Sequence, residues 1–262
     1  MKRIRLVRFR SGMPPDPAFD QVAGEEPLEI RVDARPIAVV MRTPGQDEEL
    51  AVGFLVSEGL IRRRSEVREV RLNPRNRSGN SVDVLLDPEV TVDFQKLTRH
   101  VFASSSCGLC GATSMAAVRR QFPKIQGTLE VTASVLHRLP EALRAAQAEF
   151  EGTGGLHAAA LFRQDGSLIW VREDIGRHNA VDKLLGRALL EGMLPLKDCG
   201  LLVSGRVSFE IVQKALAGGI PILAAVSAPS SLAVEFARKN GQTLVGFLRE
   251  GRFNVYSGAV GV

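Results

Sequence analysis

The sequence predicts an α/β protein: a small α+β unit first, then a layered unit whose sheet is mostly parallel. Three observations predict it. Past residue 200, apolar runs and amphipathic stretches alternate as strand, helix, strand, helix, strand, the pattern of parallel strands joined by right-handed crossovers. One of those strands, residues 220–226, is apolar throughout, as a strand covered on both faces is. Before residue 100 the pattern differs: short alternating runs surround one helical stretch. The expected division is 1–128 for the N-terminal α+β domain, which ends after a cysteine loop, and 129–262 for the α/β domain.

Taken in order, residues 11–26 are rich in Gly, Pro and acidic residues and read as an irregular lead-in. Leu28, Ile30 and Val32 alternate with polar neighbours, a strand pattern, and residues 37–41 form a second strand. After the turn at Pro44 and Gly45, Asp47, Glu48 and Glu49 supply a cap and a negative first turn for a helix. Its apolar face is Leu50, Ala51, Phe54 and Leu55, and Gly59 suits its end. Val67, Val70 and Leu72, then residues 82–86, make two strands around a Pro/Gly/Asn loop. A helix is expected over 114–120 and a link over 123–127. Leu143, Ala146 and Phe150 mark a helical face after Pro140, broken at Gly152, Gly154 and Gly155. Asp165-Gly166 between two apolar runs signals a hairpin. Asp174 is placed to cap a helix whose face is Val181, Leu184, Leu185, Ala188 and Leu189.

The composition narrows the function. The chain has 262 residues, 45% apolar but only 5% aromatic, so its core relies on Leu, Val, Ile and Ala. No run approaches the ~18–20 apolar residues that span a bilayer, and the basic N-terminus lacks the apolar segment of a secretory signal. Three cysteines, an odd number, make no disulfide framework and suit free thiols in a cytosolic protein. The net charge is +5, and 7 of the 34 basic residues are lysine. Arginine suits bidentate recognition of phosphate. No basic run is interleaved with aromatics, so a compact phosphorylated ligand fits better than nucleic acid. Neither a dinucleotide-binding glycine fingerprint nor a P-loop is present, which excludes the common dehydrogenase and ATPase sites.

The chemistry centres on Cys107-Gly108-Leu109-Cys110, which follows Ser104, Ser105 and Ser106. Small residues expose a thiol and let a large group approach the backbone. Three chemistries use such a pair: metal ligation, dithiol exchange and covalent sulfur carriage. Structural zinc wants four ligands, and the deaminase zinc pattern needs a His-x-Glu that His100-Val101-Phe102 does not supply, so no metal site is expected. A thioredoxin-type pair opens a helix directly after a strand, whereas this one lies in a Ser/Gly loop. Carriage on a thiolate that visits a donor and then an acceptor is the chemistry left. Cys199 lies beside an apolar strand and reads as inert packing.

In an open parallel sheet, ligands bind beyond the carboxyl ends of the strands. Ser204-Gly205-Arg206, the Ser/Pro stretch 227–231 and residues 248–252 fall there. Two of these segments lead into helix N-termini, which attract anions. Phe247, Arg249, Gly251 and Arg252, with Ser204 and Arg206, are therefore candidates to hold a nucleotide. His178 and Asp182, four apart beside Arg177 and Lys183, pair along a helix or orient a substrate, and His157 follows two glycines.

Several segments carry a specific resemblance: residues 50–59, the Ser106-Cys107-Gly108-Leu109-Cys110-Gly111 loop, and residues 155–159, 172–183 and 244–247. Through them the chain, from residue 25 onward, resembles the FdhD/NarQ family of formate dehydrogenase accessory sulfurtransferases. The resemblance implies a sulfurtransferase that accepts persulfide sulfur from a cysteine desulfurase. It would pass that sulfur to the molybdenum (or tungsten) bis(molybdopterin guanine dinucleotide) cofactor, before the cofactor enters formate dehydrogenase. By the resemblance Cys107 would carry the persulfide; Cys110, more constrained beside Gly111 and the expected 114–120 helix, would assist. Phe247, Leu248, Arg249, Glu250, Gly251 and Arg252 fall where the family binds the cofactor's guanine nucleotide end, for which GDP is a partial mimic. His157, Arg177, His178 and Asp182 move towards a pocket role. The resemblance also implies a cytidine-deaminase-like three-layer C-terminal domain, a homodimer and a cytoplasmic location. A dithiol oxidoreductase and a cofactor-binding chaperone that moves no sulfur are the competing readings.

Overall fold

A computed structural model of the chain describes residues 1–73, 79–92, 122–127 and 129–262. The cysteine pair and the helix expected over 114–120 lie outside the described residues. Strands β1 (Lys2–Arg8) and β2 (Asp16–Val22) form a separate hairpin, and β2 falls within residues 11–26, which the sequence suggests to be an irregular lead-in. Pro17 within β2 masks the alternation, because proline normally argues against a strand interior.

The next sheet contains β3 (Glu26–Val32), β4 (Arg35–Arg42), β5 (Val67–Leu72) and β6 (Ser81–Leu86) in the order β4–β3–β6–β5. Leu28, Ile30 and Val32 point from β3 into the core, as their alternation predicts. Between β4 and β5 runs helix α1 (Asp47–Ser57). Its buried residues surround it rather than forming one face, because it lies between two sheets. Its N-cap is Gln46 in a left-handed conformation (φ 53°), without a side-chain cap. Asp47 instead accepts bonds of 2.8 Å from both Nε and Nη2 of buried Arg42.

The larger sheet has six strands: β7 (His157–Phe162), β8 (Leu168–Asp174), β9 (Gly200–Val203), β10 (Ile222–Ala225), β11 (Thr243–Arg249) and β12 (Arg252–Ser257). Their order is β12–β11–β10–β9–β7–β8. β9, β10 and β11 are parallel, as the strand–helix alternation requires. The sheet as a whole is mixed, not mostly parallel: the β7–β8, β7–β9 and β11–β12 pairings are antiparallel. Tight hairpins end both flanks, and a hairpin can join only antiparallel strands.

Helix α2 (Ala133–Ala145) packs Val135, Leu136, Leu139 and Leu143 on one face of this sheet. Thr132 caps it, and Pro140 sits inside it rather than before it. The face read from Leu143 to Phe150 in fact continues into a second short helix, α3 (Ala148–Thr153). Helices α4 (Arg177–Leu190), α5 (Phe209–Ala217) and α6 (Ser231–Lys239) cover the other face, and α1 joins them there. The layers run helix, six-stranded sheet, helices, four-stranded sheet, and one apolar core continues from Leu28 to Leu244.

Helices α1 and α4 cross at Gly53 and Gly186. A Cβ on Gly53 would lie 1.7 Å from the Asp182 carbonyl oxygen, and one on Gly186 would lie 1.8 Å from that of Glu49. The two backbones touch, so only glycine fits. No helix among the described residues is long and apolar enough to cross a membrane.

Candidate functional site

The carboxyl ends of β8, β9, β10 and β11 share one sheet edge with the start of β7, which runs against β9. Backbone bonds fasten the loops there to one another. Ser204 N donates to Ala158 O (2.9 Å) and its Oγ accepts from Ala158 N (2.9 Å), so Ser204 pins its loop to β7. Val207 N donates to Ala228 O (3.0 Å), Ser230 N to Val207 O (2.9 Å) and Phe247 N to Ser227 O (3.1 Å). An apolar sheet ending in hydrogen-bonded loops makes a rigid platform for polar side chains.

Cations converge on Gly205. A Cβ there would lie 3.3 Å from His157 Nδ1 and 3.5 Å from Arg177 Cβ, so the bare backbone lets both side chains close in. Burial first, then the charges of Arg177, His178 and Arg206, hold the His157 imidazole below its ordinary value of 6.5, and it is therefore neutral near pH 7. Arg177 Nε is a buried donor without a partner among the described residues. Such a corner favours an anion.

His178 and Asp182 do not pair with each other. His178 Nε2 lies 2.9 Å from Glu210 Oε2, whose carboxyl is held below the ordinary carboxylate range chiefly by that bond. Asp182 is buried, 2.7 Å from Lys214 Nζ, and accepts from Ser57 Oγ at 2.5 Å. It joins helices and offers a ligand nothing.

The loop that carries His178 is held from behind. Asp174 and Lys183 are fully buried and 2.8 Å apart. Asp174 accepts from the N–H groups of Thr43 and Gly176 and from Asn179 Nδ2, and Lys183 Nζ donates to the carbonyls of Thr43 and Glu173. Asp174 therefore braces the turn instead of capping α4, whose N-cap is Gly176.

Beside this corner is a cavity of about 550 Å³. His157, Ser204 and Val226 line it from the sheet, Gly155 and Leu156 from the approach to β7, and Leu143, Arg144 and Phe150 from the helices. The Arg144 guanidinium lies 4.3 Å from the centre of the Phe150 ring. Its volume is that of a small-molecule site, and its mix of apolar wall and few polar groups is typical of one. Sequence reasoning reads Leu143 and Phe150 as a helical face after Pro140 but misses Arg144, Gln147 and Phe150 as cavity wall, because nothing local says that this face packs beside the end of β9.

The candidate nucleotide loop divides by exposure. Phe247 is 44% exposed at φ +52°, a left-handed backbone rare for an aromatic residue, where β11 loses register with β12. Leu248 is fully buried in the core beneath α2 and presents only backbone. Arg249 is exposed, with Nη1 turned back to the carbonyls of Val226 and Leu248. Glu250, Gly251 and Arg252 form an exposed tip, with Gly251 at φ +75°. Arg206 is exposed on the neighbouring loop. Thus His157, Ser204, Arg206, His178 and Phe247 share one edge, whereas Glu250 and Arg252 lie farther out on the hairpin.

Cys107 and Cys110 lie outside the described residues. Cys199 is 7% exposed in the apolar core, and burial pushes its thiol up. Among the described residues no group of three or more His, Cys, Asp or Glu could hold a metal ion.

The model of the FdhD/NarQ family matches residues 23–262. A Streptomyces coelicolor protein called sulfur carrier protein FdhD is 51% identical over 98% of this chain and 94% of its own length. One of the same name from Sulfurisphaera tokodaii is 42% identical over 98% and 97%. A crystal structure described as a formate dehydrogenase accessory protein, from Desulfotalea psychrophila, superposes with a TM-score of 0.79 at 26% identity, over 98% of this chain and 97% of that one.

Proposed function

The chain belongs to the FdhD/NarQ family, and from that premise we propose that it carries sulfur on Cys107 for a molybdenum cofactor destined for formate dehydrogenase. The names of its relatives support sulfur carriage and a formate dehydrogenase accessory role. One structural observation supports the choice of thiol. The chain has three cysteines, and Cys199 is buried with its thiol pushed up, so a persulfide must use the Cys107–Cys110 pair.

The proposed chemistry is exchange at sulfur. The Cys107 thiolate attacks the outer sulfur of the persulfide on a cysteine desulfurase. The donor's S–S bond breaks, its cysteine leaves as a thiolate, and the new S–S bond is the Cys107 persulfide. Attack by the Cys110 thiolate on the inner sulfur then closes a Cys107–Cys110 disulfide and expels hydrosulfide, the reduced sulfur that the cofactor takes up. A cellular dithiol resets the disulfide.

The acceptor substrate would be the molybdenum bis(guanine dinucleotide) cofactor. The cationic corner of Arg177 and Arg206, with the His157 and His178 rings beside it, suits its phosphates, and Phe247 offers an exposed face to a guanine. Arg249 and Arg252 add charge along the approach. Neutral His157 can donate or accept a hydrogen bond without adding charge.

Incubation with a cysteine desulfurase and cysteine, followed by intact mass measurement, tests the reading. The wild-type chain should gain the mass of one sulfur atom, reversibly by thiol. Cys107→Ala should abolish the gain, Cys110→Ala, which cannot expel the sulfur, should keep it, and Cys199→Ala should leave it unchanged. No gain in any variant, with formate dehydrogenase still matured by Cys107→Ala, would replace carriage with the chaperone reading.

A further inference from the structure

No step of that proposal uses the β1–β2 hairpin, which precedes the residues that the family model matches. Of the twelve large apolar side chains exposed among the described residues, six fall within the first 19 positions: Met1, Ile4, Val7, Phe9, Met13 and Phe19. Their density is unusual for a surface facing only water.

Basic charge accompanies them. β1 holds Lys2, Arg3, Arg5 and Arg8, and Arg10 follows. Lys2 reaches Glu26 at 3.1 Å, and Arg3 lies over the Phe19 ring at 4.2 Å. Arg5, Arg8 and Arg10 form no ion pair with a described residue. The hairpin is rooted at its open end, where a Cβ on Gly152 of α3 would lie 2.9 Å from Met1 Sδ, just before β1, and 3.7 Å from Gln21 Oε1 of β2. Its strands pair only with each other among the described residues, so β1 keeps an outer edge of unpaired backbone groups. Such an edge is a template for another strand.

We propose that the outer edge of β1 docks an extended acidic segment of a partner protein, added as a third strand. Side chains alternate along a strand, and Arg5 stands opposite Phe19 in the hairpin register. Arg3 and Arg5 therefore share one face, and Ile4 and Leu6 the other. An incoming strand that alternates acidic and apolar residues sets carboxylates beside the arginines and apolar groups beside Ile4 and Leu6. A second copy of the chain does not fit. The full antiparallel self-pair centred on Arg5 places Arg5 against Arg5 and Lys2 against Arg8, like charges directly opposed. An anionic membrane fits poorly too, because it wants one apolar face, whereas Ile4 and Phe19 project on opposite faces. The proposal does not rest on the sulfur-carrier reading.

The test measures binding of a short fluorescent peptide of alternating Glu and Val to the full chain. Binding should weaken with added salt. It should be about tenfold weaker, equal to ~1.4 kcal/mol, in the Arg3→Glu/Arg5→Glu variant and be retained in Arg3→Lys/Arg5→Lys. The same peptide methylated on alternate backbone nitrogens should not bind. Equal binding of the methylated peptide would reduce the site to simple charge attraction and overturn strand addition. So would unchanged affinity in the Glu variant, a Glu-sensitive dimer in solution, or preference for phosphatidylglycerol vesicles over the peptide.

Discussion

Phe247 shows what a single residue can and cannot disclose in sequence. Its place after an apolar run marks it as the end of a strand, and the arginines and glycine beyond it mark a ligand-facing turn. Its left-handed φ of +52° is invisible there, because it arises from the bulge and from the bond to Ser227 O. Strain of this kind, held on an exposed aromatic, points to use rather than packing. Phe247→Gly should relieve ~1–2 kcal/mol of left-handed strain and lose ~0.5–1 kcal/mol to glycine's added freedom. Stability should therefore stay near wild type. GDP binding should fall about tenfold if the ring meets the base, since such stacking is worth ~1–3 kcal/mol. Titration calorimetry and urea unfolding read the two effects separately. A large loss of stability with GDP affinity intact would make Phe247 a packing residue.

At the scale of elements, local patterns are legible and their joining is not. The alternation of β3 and the Asp-Gly hairpin of β7 and β8 appear directly in the residues. That β7 docks antiparallel on β9 does not, because no local signal says which edge a hairpin joins. The α1–α4 crossing is hidden for a similar reason. Each helix contains one interior glycine, ordinarily a mild weakness of about 1 kcal/mol, and nothing in the sequence says that the two meet. The structure explains both by contact between the backbones at Gly53 and Gly186. Gly53→Ala should then cost about 3 kcal/mol or more, as overpacking in a rigid interior does, despite alanine's better helix propensity. The urea midpoint is the measurement. A stabilised Gly53→Ala would mean that the helices can separate freely.

Across the whole molecule, an ion pair and buried hydrogen bonds bind the early part of the chain to the sheet edge that carries the candidate site. Glu49 accepts from Arg172 at 2.6 and 2.8 Å, Thr43 bonds to Asp174 and Lys183, and Ser57 to Asp182. Charged residues at those positions are visible in the sequence, but their partners lie more than a hundred positions away, beyond any helical or strand periodicity. The convergence of loops at one edge was legible from strand–helix alternation alone; the cavity beside it was not, since half its wall comes from α2 and α3.

Acid should expose this arrangement in two stages. The His157 imidazole titrates below 6.5 in the folded chain because burial and neighbouring cations oppose its charge. The unfolded chain takes up that proton more readily, so stability falls as the pH drops below 6.5 and levels off past the folded value. Glu210 works lower. Its bond to His178 holds its carboxyl below 4.5, so its contribution is full above 4.5 and is lost as the pH falls through the folded value. His157→Gln should flatten the first decline and leave the second; Glu210→Gln should do the reverse. Around His157 stand Arg177, His178, Arg206 and Asp174, and only Asp174 opposes the shift. Arg206→Gln should therefore narrow the first stage by removing one of the opposing charges. The urea midpoint followed from neutral pH to below 4.5 resolves the stages. A first decline that persists in full in His157→Gln would mean that another group bears the acid sensitivity of the sheet edge.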